Sequence, residues 1–293
     1  MIKVRTLVVL ALFAALISFA KFSHCEGTNW ATPDQYIHAC YSDLPSLFGA
    51  RGLDNSTWPY ASNDNSVEYP VITGVVMYTT SLMAHSPISY FNFNVFFLIV
   101  LFMATVLLVR KIRPEFSYLV PVAPAMIAAM YINWDLWAIA TMMLAIYWFD
   151  QKKYTNSALV MALSISTKFL PVFLMIPIAF ILWRDSKIKE LIKYVAIVAA
   201  SWLVINLPFA LTTPTGWWRF YKLNMERGAD WGSIWLALEQ LGITFTNLNY
   251  LSLLLLLIAL TSIAIVLFEL KYTPTLASVA FLVLASVMVA SKV

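Results

Sequence analysis

Ten ionisable side chains stand out in a chain otherwise dominated by apolar residues: Asp43, Asp64, Glu68, Asp135, Lys168, Arg219, Glu226, Arg227, Asp230 and Lys292. If the fold gathers them, they define a workable chemistry. A carboxylate can take the proton from an attacking hydroxyl as a general base, and ammonium or guanidinium groups can stabilise the charge that develops on a departing phosphate. Trp217, Trp218, Phe220, Tyr221 and Trp231 add flat apolar faces on which sugars stack, although interfacial belts account for many aromatics of this kind. Each residue also has an ordinary reading. Asp43 suits a loop or a helix N-cap, and Asp135 and Lys168 suit groups that reach interfacial water.

The elements that must position these groups are membrane helices. A soluble domain is about half apolar and a quarter charged, whereas this chain is 61% hydrophobic and 12% charged with a mean hydropathy of +0.78. Several apolar runs approach the ~20 residues that a helix needs to cross the bilayer, and none shows the alternation of a membrane barrel. The expected class is all-α and polytopic, with residues 1–293 as one transmembrane domain. The net charge of +4 reads as a topology signal rather than as nucleic-acid binding.

Lys3 and Arg5 precede an apolar run at 8–20, the charge order of a signal peptide, but no A-x-A cleavage site follows. The run is read as an uncleaved first helix with a cytoplasmic N-terminus. A crossing at 93–109 ends in Arg110, Lys111 and Arg113, which the positive-inside rule also places in the cytoplasm. Residues 23–92 are then one extracytoplasmic loop. Within it, 69–84 is expected as an amphipathic helix at the interface; a full crossing is the alternative, and it would put the Arg110 cluster on the wrong side. Crossings at 118–132 and 136–149 follow. Residues 156–183 lie between Lys152 and Lys153 on one flank and Arg184, Lys187 and Lys189 on the other, so they must cross an even number of times. Two helices of about 14 residues each fit, broken before Pro171 with Lys168 at the outer tip. Crossings at 191–211, 251–268 and 273–290 complete the pattern, with a second outer segment at 212–249. All ten ionisable groups then fall on the outer side, together with Cys25 and Cys40, which are either a disulfide or two unpaired thiols.

The residues also carry a resemblance. Cys40-Tyr41-Ser42-Asp43, Arg51-Gly52-Leu53, Pro59-Tyr60 and Glu68-Tyr69-Pro70 resemble the first outer loop of glycosyltransferase family 87, the actinobacterial polyprenyl-phosphate-sugar-dependent mannosyl- and arabinosyltransferases of the GT-C superfamily. Asn133-Trp134-Asp135-Leu136, Thr167-Lys168 with Pro171, Asn206-Leu207-Pro208-Phe209 and the run from Glu226 to Ser233 are similar to later segments. The resemblance implies a GT-C-like helical bundle and an inverting transfer from a polyprenyl-phosphate sugar to a glycolipid or cell-envelope glycan on the extracytoplasmic face. It implies Asp43 as the base, with Glu68 in reserve. Lys168, Arg219, Arg227 and Lys292 are candidates for the donor phosphate, and Asp135, Glu226 and Asp230 for positioning. No cofactor is expected; a divalent metal is not required, although the acids could hold one. Family members usually continue beyond Ser291-Lys292-Val293, so a fragment or a shortened homologue is expected. A transporter or flippase of a lipid-linked or acidic solute is the alternative, against which stand the single hairpin and the absence of a partner repeat. A ligase acting on lipid-linked glycans shares the geometry but not the motifs.

Overall fold

A computed structural model describes residues 3–61 and 65–292; Asp64 lies outside the described residues. Every regular element among them is helical: α1 Val4–Ser23, α2 Asp34–Ile37, α3 Asp43–Ala50, α4 Val71–Ser81, α5 Pro87–Ile112, α6 Leu119–Val122, α7 Pro124–Ala129, α8 Asp135–Asp150, α9 Tyr154–Thr167, α10 Met175–Arg184, α11 Ile188–Thr212, α12 Pro214–Glu226, α13 Ile234–Gln240, α14 Leu248–Glu269 and α15 Leu276–Ala290, with short 3-10 turns between some of them.

Four apolar helical stretches, Val4–Thr28, Pro87–Ile112, Ile188–Thr212 and Leu248–Glu269, have 22 to 26 residues. At 1.5 Å per residue each is about 33–39 Å long, enough to cross the hydrocarbon. Their surfaces fit that solvent. On α14, Leu253, Leu254, Leu257, Ile258, Ile265 and Val266 are all exposed, an apolar face too large for a soluble monomer. The chain is an all-α polytopic membrane protein.

Contacts between the helices define two ends of the bundle. At one, Arg113 donates to Thr275 and Ser278 at 2.7 and 2.5 Å, and Arg184 to the carbonyls of Leu267 and Leu270. At the other, Trp235 and Ser252 both donate to the carbonyl of Ala290, and Asn206 to Ser166. One packed core joins α1, α3 and α5 with the start of α8. A second joins the end of α8 with α9, α10, α11 and α15.

The hairpin expected at 156–183 is present: α9 stops at Thr167, the backbone is extended at Lys168, and a helical stretch resumes at Leu170. Two other segments differ from expectation. Residues 118–132 form two short helices rather than one. Pro124 lacks an N–H and disfavours helical backbone before it, so Ala123 is extended (ψ 120°). The start of α5 lies at Pro87, six residues before the expected 93, because Ser86 and Ser89 cap one another's backbone with Pro at the first turn. The segment expected to lie at the interface forms α4, whose 11 residues span only about 16 Å. It packs against α9, α5 and α11 with Val71, Thr73, Gly74, Val76 and Met77 buried. Cys25 and Cys40 form a disulfide across a separation of 15 residues, closing the short loop after α1.

Candidate functional site

Asp43 owes its place to the start of α3. Ser42 is the N-cap and accepts the Leu44 N–H at 3.2 Å. Its hydroxyl donates to the Tyr131 carbonyl at 2.7 Å, and the Asp43 N–H donates to the Ile132 carbonyl at 2.6 Å. The first turn of α3 is thereby pinned to the segment leading into α8. Two phenols hold the carboxylate: Tyr41 donates to Oδ1 at 2.7 Å and Tyr69 to Oδ2 at 2.5 Å. Burial, reinforced by the neighbouring Asp43 charge, pushes both phenols above the ordinary tyrosine range, so they remain protonated donors. A carboxylate offers about four acceptor positions. Two stay available to a further hydrogen-bond donor.

Tyr69 is itself positioned. Its carbonyl accepts from the buried Tyr60 hydroxyl at 3.1 Å, and its ring meets Trp134 edge-on at 5.7 Å. Trp134 in turn donates to Asn94 at 2.8 Å, a buried polar partner on α5 that interrupts the apolar run there.

The cations come from three directions. Lys168 follows α9 and donates to both oxygens of Asp135, whose own N–H is received by Asn133 at 3.0 Å. Thr73 on α4 donates to the Thr167 carbonyl at 2.6 Å, which ties down the residue before Lys168. Both members of the Lys168–Asp135 pair are more than a third exposed, so the pair adds little stability and acts mainly to fix where the ammonium sits. Glu68 is gripped by Arg51 through two hydrogen bonds and by Arg219 on α12 at 3.2 Å. Arg227, just beyond α12, lies 3.5 Å from Asp230. Its carbonyl accepts from Lys292 at 2.6 Å, and Lys292 also bonds the Asn224 carbonyl and the Asn249 side chain.

These arrangements converge. Asp43, Glu68, Lys168 and Arg227 line one cavity of about 350 Å³, together with Tyr69, Asn133 and Asn224 and the apolar side chains of Leu47, Phe220 and Leu223. The volume falls at the lower end of the roughly 300–1,000 Å³ usual for small-molecule sites. Of the remaining expected residues, Asp135 orients Lys168, Arg219 reaches the cavity through Glu68, and Asp230 and Lys292 brace the loop that carries Arg227. Glu226 is exposed and faces Lys222 at 4.0 Å along α12, away from the cavity. Tyr41, Tyr69 and Arg51 were not singled out from sequence as site residues. The signals were their positions beside or two turns from Asp43 and Glu68.

A second set of side chains carries the donor types of a metal site: Cys25, Asp34 and His38. The Cys25 sulfur is committed to Cys40, and Asp34 bonds His38 at 2.9 Å and Thr28 at 2.7 Å. Comparisons with protein families, curated proteins and solved structures give no significant match.

Proposed function

We propose that the chain is a membrane glycosyltransferase that moves a sugar from a polyprenyl-phosphate donor to a glycolipid or glycan acceptor by inverting displacement. One observation carries this reading: a carboxylate oriented by two phenols shares a small cavity with Lys168 and Arg227. Asp43 takes the proton of the acceptor hydroxyl as the acceptor oxygen bonds to the anomeric carbon. The bond from that carbon to the phosphate oxygen breaks on the opposite face, and the phosphate leaves with a second negative charge. Lys168 and Arg227 stabilise that charge.

Glu68 serves in this scheme to hold Arg51 and Arg219, since guanidinium groups occupy its oxygens; Asp43 remains the base. The GT-C-like fold and the choice of a mannosyl or arabinosyl group rest on the resemblance to glycosyltransferase family 87. Sidedness rests on charge. Arg110, Lys111, Arg113, Lys152, Lys153 and Arg184 lie at helix ends opposite those that carry Asn133 and Lys168 to the cavity, and the positive-inside tendency supports a cytoplasmic side for that end and an extracytoplasmic side for the cavity.

The test uses the full chain in proteoliposomes with radiolabelled polyprenyl-phosphate mannose or arabinose and a glycolipid acceptor. Labelled acceptor is the expected product. Labelled donor that changes leaflets without transfer would show a flippase and overturn the reading.

A further inference from the structure

A second, wider cavity lies at the other end of the bundle. It measures about 720 Å³ and is lined by Lys152, Lys153, Lys187 and Lys193, with Glu190 as the acid among them and Tyr154, Thr155 and Asn156 completing the wall. The four lysines come from two separate stretches, the turn between α8 and α9 and the start of α11, where Lys187 is the N-cap and Lys193 lies in the second turn. Four ammonium groups outnumber the two carboxylates beside them, Glu190 in the lining and Asp185 paired with Lys187, so the concavity is net positive and gains when an anion enters it. Lys187 is held in place by Tyr154 at 3.3 Å and Asp185 at 3.2 Å. The hydroxyl of Thr155 and the carboxamide of Asn156 add uncharged donors on the same wall.

We propose that this cavity binds the phosphate headgroup of an anionic phospholipid. A lipid is favoured over a free phosphate by what surrounds the pocket. Leu159 on α9 and Ile188, Ile192 and Val195 on α11 are exposed large apolar residues, in the helical turns that follow the lining residues, and they offer acyl chains a surface where the headgroup is held. Basic pockets between membrane helices take anionic headgroups in this way. The inference stands apart from the proposed transfer reaction, since it uses none of the residues around Asp43.

Thermal unfolding of the full chain in nanodiscs tests it. Replacing part of a phosphatidylcholine bilayer with phosphatidylglycerol is expected to raise the Tm of the native chain by several degrees, and native mass spectrometry should retain phosphatidylglycerol on it. The Lys152→Gln/Lys153→Gln/Lys193→Gln variant should keep the native Tm in phosphatidylcholine, which reports that it folds. It should lose the rise and bind phosphatidylglycerol about 100-fold more weakly, from the attraction of each lysine to an anionic surface. Lys189→Gln, at the same end but outside the cavity lining, should behave as native. Equal rises in native and triple variant would overturn the site. A full rise from pyrophosphate in pure phosphatidylcholine would overturn its assignment to a lipid.

Discussion

Asp43 sits between two hydroxyls that cannot readily ionise, and this shapes what pH does to the protein. Tyr41, Tyr60 and Tyr69 are all pushed above the ordinary tyrosine range, in each case chiefly by burial. A group whose pKa rises on folding lends stability that is complete below its unfolded value, about 10, and is lost as pH rises through the folded value. The expected outcome is a set of tyrosines with no phenolate absorbance near pH 10 in the folded chain, followed by loss of stability above it; ordinary titration of every tyrosine near 10 would contradict the packing around Asp43. Removing one phenol is milder. Tyr69→Phe should lower the transfer rate about ten-fold by freeing one carboxylate oxygen, in line with loss of one charge-assisted hydrogen bond. Asp135→Asn should weaken donor binding several-fold, read as KM, while changing unfolding stability by under about 1 kcal/mol.

Among the elements, α12 carries Arg219 and leads to Arg227, and its approach to the N-terminal part depends on Gly216. A Cβ there would collide with the carbonyl oxygen of Tyr60, a backbone atom that cannot swing aside. Gly216→Ala should therefore displace α12 and lower transfer at least ten-fold, whereas Gly49→Ala, where nothing lies within 4 Å of the added carbon, should leave transfer unchanged and raise helix stability by about 0.5–1 kcal/mol. Parallel kinetics of the two variants separate a steric role from the loss of glycine itself. The same elements show what sequence could and could not reveal. The 156–183 hairpin was legible because basic residues bracket it, which requires an even number of crossings, and its length holds two short helices. The start of α5 was not, because Asn92 and Asn94 dilute the apolar run and the Trp134 partner of Asn94 is 40 residues away. Prolines at 121 and 124 were visible, but only the structure shows the helix breaking between them.

In the whole molecule, the charged residues separate into two ends, and the long loop after α1 supplies the proposed base. Its residue types were legible as a set. The pairings of Glu68 with Arg51 and Arg219, 17 and 151 residues apart, were not, because no local spacing encodes a contact between α12 and that loop. The loop is also fastened by Cys25–Cys40. Replacing both cysteines with serine should cost about 3 kcal/mol, the loop-closure value for some 15 residues, measured as chemical unfolding of the protein in micelles with and without the bond. The central claim, that Asp43 is the base, is tested most directly by comparing initial transfer rates of the native chain and Asp43→Asn with the same polyprenyl-phosphate donor. The asparagine keeps the two phenols company without accepting a proton, and the rate should fall about 100- to 10,000-fold with donor binding retained. A variant that transfers sugar at the native rate would contradict the account and move the base elsewhere in the cavity.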